Sequence, residues 1–212
     1  MLFKINPINP QKNLMAKVIE ELKNGGVIAY PTDTVYGIGC DIFIKSAVER
    51  VYRIKGRDKK KPLSFICEDL KHISQFAQVS DNSYRIMKKL IPGPYTFILK
   101  ATKLVPKIML TKRETVGIRV PDSEICRMLV RELGHPIVTT SANVSNEAII
   151  SDPDEIKEKF GKLLDVIIDS GPMPQDPSTM IDLTGDAPVV VREGKGDIAW
   201  IKSITEERPS EV

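Results

Sequence analysis

Neither of the common nucleotide-binding signatures occurs in this chain: there is no GxxxxGK[ST] phosphate loop and no GxGxxG turn. Any nucleotide site must therefore be built from other residues. Cysteine is scarce, with Cys40, Cys67 and Cys126 widely spaced and no CxxC pair. With only His72 and His135 beside them, the thiols offer no ligand set for zinc, and they read as small apolar residues of a reducing compartment. Catalytic triads are disfavoured too. His72 falls in a helical pattern, His135 precedes a proline, and neither has a serine or cysteine partner in context. Aromatic residues make up 6% of the chain and are not interleaved with cations, which argues against a stacking platform for nucleic acid. No apolar run approaches the roughly 20 residues that cross a bilayer. Met1 to Pro7 lacks the apolar core of a signal peptide. The expected location is the cytoplasm, without a membrane partner.

What is present is an ordinary globular composition, 42% hydrophobic and 28% charged over 212 residues, enough for one compact domain with a sizeable core. The expected organisation is a single domain over residues 1–202 and a polar tail over 203–212 that frays. The net charge of +3 is unevenly spread. Residues 45–61 hold eight cations (Lys45, Arg50, Arg53, Lys55, Arg57, Lys59, Lys60, Lys61) against Glu49 and Asp58, a local +6 that leaves −3 for the rest. One basic patch on a mildly acidic body suits a polyanionic partner. For Lys59 to Lys61 the plain alternative is a solvated, lysine-rich loop.

Hydrophobic spacing predicts helices over 14–24, stopped by Gly25-Gly26, and over 46–55, 82–91, 124–133 and 153–164, the last with a proline start after Asp152. Strands are predicted at 27–30, 63–67, 95–100, 116–120, 137–140, 166–168, 179–183 and 189–192. Alternating strands and helices, with strands clustering late, imply an α/β or α+β layered fold around one twisted, mostly mixed open sheet.

Several polar groups interrupt this apolar pattern. Pro31 to Gly37 follows a buried strand directly, the usual place for a ligand loop, although a turn closed by Asp33 has the same signature. Lys55-Gly56-Arg57 ends a helix, where the dipole favours cations in any case; Gly56 would let a ligand come close to the backbone. Strand alternation puts Arg119 on the face opposite Ile118 and Val120, with Gly117 opening space beside it. A strand arginine needs an anion, either an aspartate of the chain or the carboxylate of a small molecule. Thr139-Thr140-Ser141-Ala142-Asn143 leaves a strand with four hydrogen-bonding side chains in five, more than a cap uses. Ser178-Thr179 repeats hydroxyls at a strand mouth, and Arg192 resembles Arg119 in context. Hydroxyls, one amide and four cations suit reactions run by orientation and charge neutralisation, such as attack on a nucleotide phosphate.

Read together, Gly25 to Gly37, Lys55-Gly56-Arg57, Pro92-Gly93-Pro94-Tyr95-Thr96, Val116 to Pro121, Ser141-Ala142-Asn143 and Ser178 to Asp182 resemble the YrdC family, in order along nearly the whole chain. The wording around Tyr95 to Lys100 and Val189 to Gly194 is similar to its YciO branch. Some members of that branch lack K-x-R and S-x-N, whereas this chain keeps both. Its usual glycine after S-A-N-x-S is Asn146 here. The resemblance implies a mixed sheet curved around a positively charged cavity and the short, single-domain form. It also implies synthesis of threonylcarbamoyl-AMP and pyrophosphate from ATP, L-threonine and bicarbonate, supporting threonylcarbamoyladenosine formation in tRNA.

Carried over by motif position, Lys55, Arg57, Ser141 and Asn143 would hold the triphosphate with Mg²⁺, the metal bound mainly through the phosphates. Thr34, Arg119, Thr139 and Ser178 would hold threonine, with Arg119 on its carboxylate, and Thr115 and Arg192 would lie against the nucleotide. A downstream threonylcarbamoyl transferase complex would receive the product. The rival expectation is a non-catalytic module binding tRNA or double-stranded RNA in the same basic hollow. A carbamoyl-adenylate transferase, as in domains of hydrogenase maturation proteins, is disfavoured by the short chain.

Overall fold

The computed structural model describes residues 1–56, 63–110 and 112–201. Its strands, in chain order, are β1 (Leu2–Lys4), β2 (Val27–Tyr30), β3 (Gly37–Cys40), β4 (Ser64–Ile66), β5 (Ala77–Gln78), β6 (Tyr95–Ala101), β7 (Thr115–Arg119), β8 (Ile137–Ser141), β9 (Val166–Asp169), β10 (Thr179–Asp182) and β11 (Val189–Arg192). The helices are α1 (Lys12–Lys23), α2 (Lys45–Ile54), α3 (Leu70–Phe76), α4 (Asp81–Leu90), α5 (Glu124–Leu133) and α6 (Pro153–Phe160). All strands join one open sheet in the order β1-β9-β2-β3-β8-β4-β7-β6-β10-β11, with β5 on β6. The pairs β1–β9, β2–β9, β4–β7 and β6–β10 are parallel and the others antiparallel. The fold is the mixed α/β sheet expected from the sequence.

Local chemistry sets the element ends. Asp69, Ser80, Ser123 and Asp152 each accept a backbone N–H at the start of α3, α4, α5 and α6, satisfying donors a helix leaves open. Gly134 closes α5 in the left-handed conformation, φ 79°. Helix α6 is shorter than predicted. Gly161 ends it, and the N–H groups of Leu163 and Leu164 fold back onto the Phe160 carbonyl.

Alternation along the strands sorts side chains into two cores. Ile28 and Tyr30 of β2, Val166 and Ile168 of β9, Ile66 of β4 and Ile137 of β8 pack with α1 and α5. Val27, Ala29, Phe65, Val138, Ile167 and the β7 residues Val116 and Ile118 pack into the larger core, which includes residues of α2, α3, α4 and α6. The period of two carries the α1/α5 side of the sheet onward to Ser64, Thr139 and Ser141, then to Thr115, Gly117 and Arg119. There, apolar residues under helices give way to hydroxyls, a glycine and a guanidinium lining a cavity.

Candidate active site

The cavity has a volume of about 360 Å³, within the usual size of a small-molecule site. One wall comes from Thr32, Val35, Tyr36 and Gly37 with Thr139, Thr140 and Ser141. The other comes from Ser64, Thr96, Ile98, Thr115 to Gly117, Arg119, Pro177, Ser178, Met180 and Arg192. Residues more than 150 positions apart therefore meet in one hollow. Of the ten site residues expected from the sequence, Thr115, Arg119, Thr139, Ser141, Ser178 and Arg192 line it.

Arg119 is 6% exposed, and its Nη2 donates to Asp33 Oδ1 at 2.7 Å and to Thr34 Oγ1 at 3.0 Å. Asp33 Oδ2 in turn accepts the Asp122 N–H. Of the two partners anticipated for Arg119, the aspartate of the chain is the one present. The aspartate takes Nη2, while Nε is buried with no partner among the described residues. A buried guanidinium N–H without an acceptor is costly, and here it belongs to a residue on the cavity wall. Thr34 is fully buried and sits behind Arg119 rather than on the wall, a position that Thr32 fills instead.

Lys55 is buried at the end of α2, with its ammonium turned inward. It donates to the Ser141 carbonyl at 2.7 Å, to Asn143 Oδ1 at 2.6 Å and to the Asn143 carbonyl. The Lys55 carbonyl accepts the Ser145 N–H. Lys55 and Asn143 thus lie outside the cavity lining and brace the turn that carries Ser141. Arg57, the second cation of that motif, falls outside the described residues, as do Lys59 to Lys61. Arg50 is structural, bound to Asp165 at 2.9 Å and to the carbonyls of Gly25 and Leu163. Where it is described, then, the 45–61 cluster splits into separate roles.

Asn146, standing where a glycine was expected, takes φ 70°. Asparagine is one of the few residues that tolerates this left-handed region, so the loop keeps a conformation suited to glycine. On the far wall, Arg192 directs Nε and Nη2 onto the Ser178 carbonyl, at 3.3 and 2.7 Å, and Ser178 Oγ pairs with Thr96 Oγ1 at 2.7 Å. Burial, and then the neighbouring Arg119, depress the Arg192 pKa; two guanidiniums in one hollow favour an anion between them.

Ser64, Thr96, Ile98 and Met180 were not singled out as site residues. Thr96, Ile98 and Met180 lie inside stretches that carry the family resemblance, whereas Ser64 has only a generic strand signal. Gly117 makes room here: a Cβ would lie 2.4 Å from Ser64 Oγ and 3.3 Å from Thr96 Cγ2. The three cysteines are free and buried. Burial raises all three thiols, Cys126 to about 12, which leaves them without nucleophilic character. No group of three His, Cys, Asp or Glu residues that could hold a metal occurs among the described residues.

Fold and site together define a mixed α/β protein with one cavity lined by hydroxyls and by the guanidiniums of Arg119 and Arg192. The chain belongs to the Sua5/YciO/YrdC family, described as telomere recombination, which matches residues 20–194. It is 46% identical over 198 residues to the uncharacterized protein YciO of Escherichia coli K12, covering 92% of this chain and 96% of that one. The crystal structure of E. coli YciO superimposes with a TM-score of 0.90 over 94% of this chain and 98% of that one, at 44% identity. A putative threonylcarbamoyl-AMP synthase of Methanocaldococcus jannaschii is 36% identical over 197 residues, 91% of this chain and 92% of that one. The crystal structure of Pyrococcus abyssi Sua5 complexed with L-threonine matches at a TM-score of 0.90 and 27% identity, covering 96% of this chain and 60% of that one.

Proposed function

We propose that this protein is a nucleotidyltransferase that makes threonylcarbamoyl-AMP from L-threonine, bicarbonate and ATP, releasing pyrophosphate, for threonylcarbamoyladenosine formation in tRNA. The observation that carries this reading is one cavity lined by the guanidiniums of Arg119 and Arg192 together with the hydroxyls of Thr139 and Ser178, with Arg119 Nε unpartnered among the described residues. Synthase relatives and the threonine-bound Sua5 structure support it.

In this reading the Arg119 guanidinium takes the threonine carboxylate, while Thr34 and Asp33 hold its plane in place. Thr139 and Ser178 fix the amino acid, and Thr115 and Arg192 lie against the nucleotide. The neutral threonine amine attacks the carbon of bicarbonate, or of the CO₂ derived from it, and the amine proton leaves with the displaced hydroxide as water, giving a carbamate. A carbamate oxygen then forms a bond to the α-phosphorus as the bond to the β-phosphate bridging oxygen breaks, and pyrophosphate leaves. Orientation in a dry site carries most of such a reaction. Magnesium, arriving with ATP, would neutralise phosphate charge; the oxygen-rich Ser141 wall suits a hard cation held mainly by phosphates.

A cavity of about 360 Å³ sunk into the sheet suits small molecules better than an RNA backbone, so the RNA-module alternative gains no support from the geometry. Purified protein with ATP, threonine, bicarbonate and Mg²⁺ should release pyrophosphate only when threonine is present. Threonine-independent release, or none, would count against the reading.

A further inference from the structure

The turn after β8 fixes the direction of a proton. Lys55 carries an ammonium, which only donates, and it points at Asn143 Oδ1 from 2.6 Å. That contact assigns the Asn143 amide: its oxygen faces Lys55, and its Nδ2 donates to the Glu147 carbonyl at 2.7 Å. Ser141 Oγ lies 2.6 Å from the same Oδ1, an atom that can only accept. The Ser141 hydroxyl hydrogen is therefore committed to Asn143, and the lone pairs of Oγ remain for the cavity that Ser141 lines.

We propose that Lys55, acting through Asn143, makes Ser141 a pure acceptor on the cavity wall, so that this wall receives an electropositive atom of the bound substrates and not a phosphate oxygen. Lys55 is then a positioning residue: its three hydrogen bonds on the turn set the direction of a hydroxyl that a phosphate would otherwise have engaged as donor. Two sources offer the same chemistry, a divalent cation carried by the nucleotide or the ammonium of the amino acid. For the nucleotide arm, the inference rests on the function proposed above.

The test is a set of binding titrations on wild type, Ser141→Ala and Lys55→Met, using Mn²⁺·ATP, ATP in excess EDTA, and L-threonine alone. An acceptor role predicts that Ser141→Ala weakens Mn²⁺·ATP at least about tenfold while metal-free ATP binding is unchanged. If threonine affinity falls by a similar factor and both nucleotide forms are unaffected, the electropositive partner is the amine. Equal loss for ATP with and without metal would mean that Ser141 donates to phosphate, and would overturn the proposal. Lys55→Met should reproduce the Ser141→Ala pattern, and the double variant should be no worse than either, as for residues acting in one chain. Additive losses would overturn the positioning role. Should Lys55→Met fail to fold, Asn143→Leu breaks the same link. If wild type binds no ATP, the function proposed above falls, and the relay is still decided by the lysine NH₃⁺ correlation in NMR. A slowly exchanging Lys55 signal that disappears in Asn143→Leu supports it, and a fast-exchanging one overturns it.

Discussion

At the scale of single residues, the Arg119–Asp33 pair shows both the reach and the limit of pattern reading. Alternation along β7 correctly put Arg119 opposite Ile118 and Val120. It left open whether the partner was an aspartate or a ligand, because periodicity gives a face and not the use of each nitrogen. Asp33 takes Nη2 at 2.7 Å, and the two side chains are 7% and 9% exposed. Removing one member of so buried a pair strands the other charge. Asp33→Ala should therefore lose about 3 kcal/mol in urea unfolding, and adding Arg119→Met should recover part of the loss. Arg119→Lys should weaken threonine binding in calorimetry more than it lowers stability, since an ammonium cannot serve aspartate and ligand with one planar fork. Lys55 was read from sequence as a phosphate ligand, and its site in the fold is a brace under Ser141. Nothing in K-x-R spacing distinguishes the two.

Elements were legible where their ends carry a chemical signal. Helix α5 begins after Ser123 and stops at Gly134, matching the predicted 124–133, and β11 was placed to the residue. Strands β1, β3 and β5 escaped notice for different reasons. The first and last are three and two residues long, too short for a period to show. Strand β3 reads Gly-Ile-Gly-Cys, and its glycines remove the alternation by which a strand is recognised. Those glycines serve close approach to β8: a Cβ on Gly39 would lie 1.9 Å from the Val138 carbonyl oxygen. Gly39→Ala should consequently destabilise by about 3 kcal/mol. Gly185→Ala, with nothing within 4 Å of the added carbon, should stay within about 0.5 kcal/mol in the same assay.

For the molecule as a whole, a pH signature follows from the His135–Asp41 contact at 3.3 Å. The Asp41 hydrogen bond is the main influence raising His135 above its ordinary 6.5, against an opposing effect of burial. The folded state binds that proton more tightly than the unfolded chain does, so the contribution is complete below pH 6.5 and fades as pH rises through the higher folded value. His72 works in the opposite sense, lowered chiefly by burial. It is common to wild type and Asp41→Asn, so the difference between their stability–pH curves isolates His135. That difference should shrink from neutral pH upward; one that grows would refute the assignment. Sheet order was the part of the whole that sequence could not supply, because the pairing of β8 with β3 and β4 links residues with no local relation. The cavity's far wall is built late in the chain, by Ser178, Met180 and Arg192. Past β11, Lys195 then reaches back to the Asp33 carbonyl at 2.5 Å. During translation, a nascent polypeptide halted before β10 would expose only half of this hollow. Under the proposed function, a ligand seated between both walls would fasten the loop after β2 to the β10–β11 hairpin, and its binding would add to the stability of the fold by mass action.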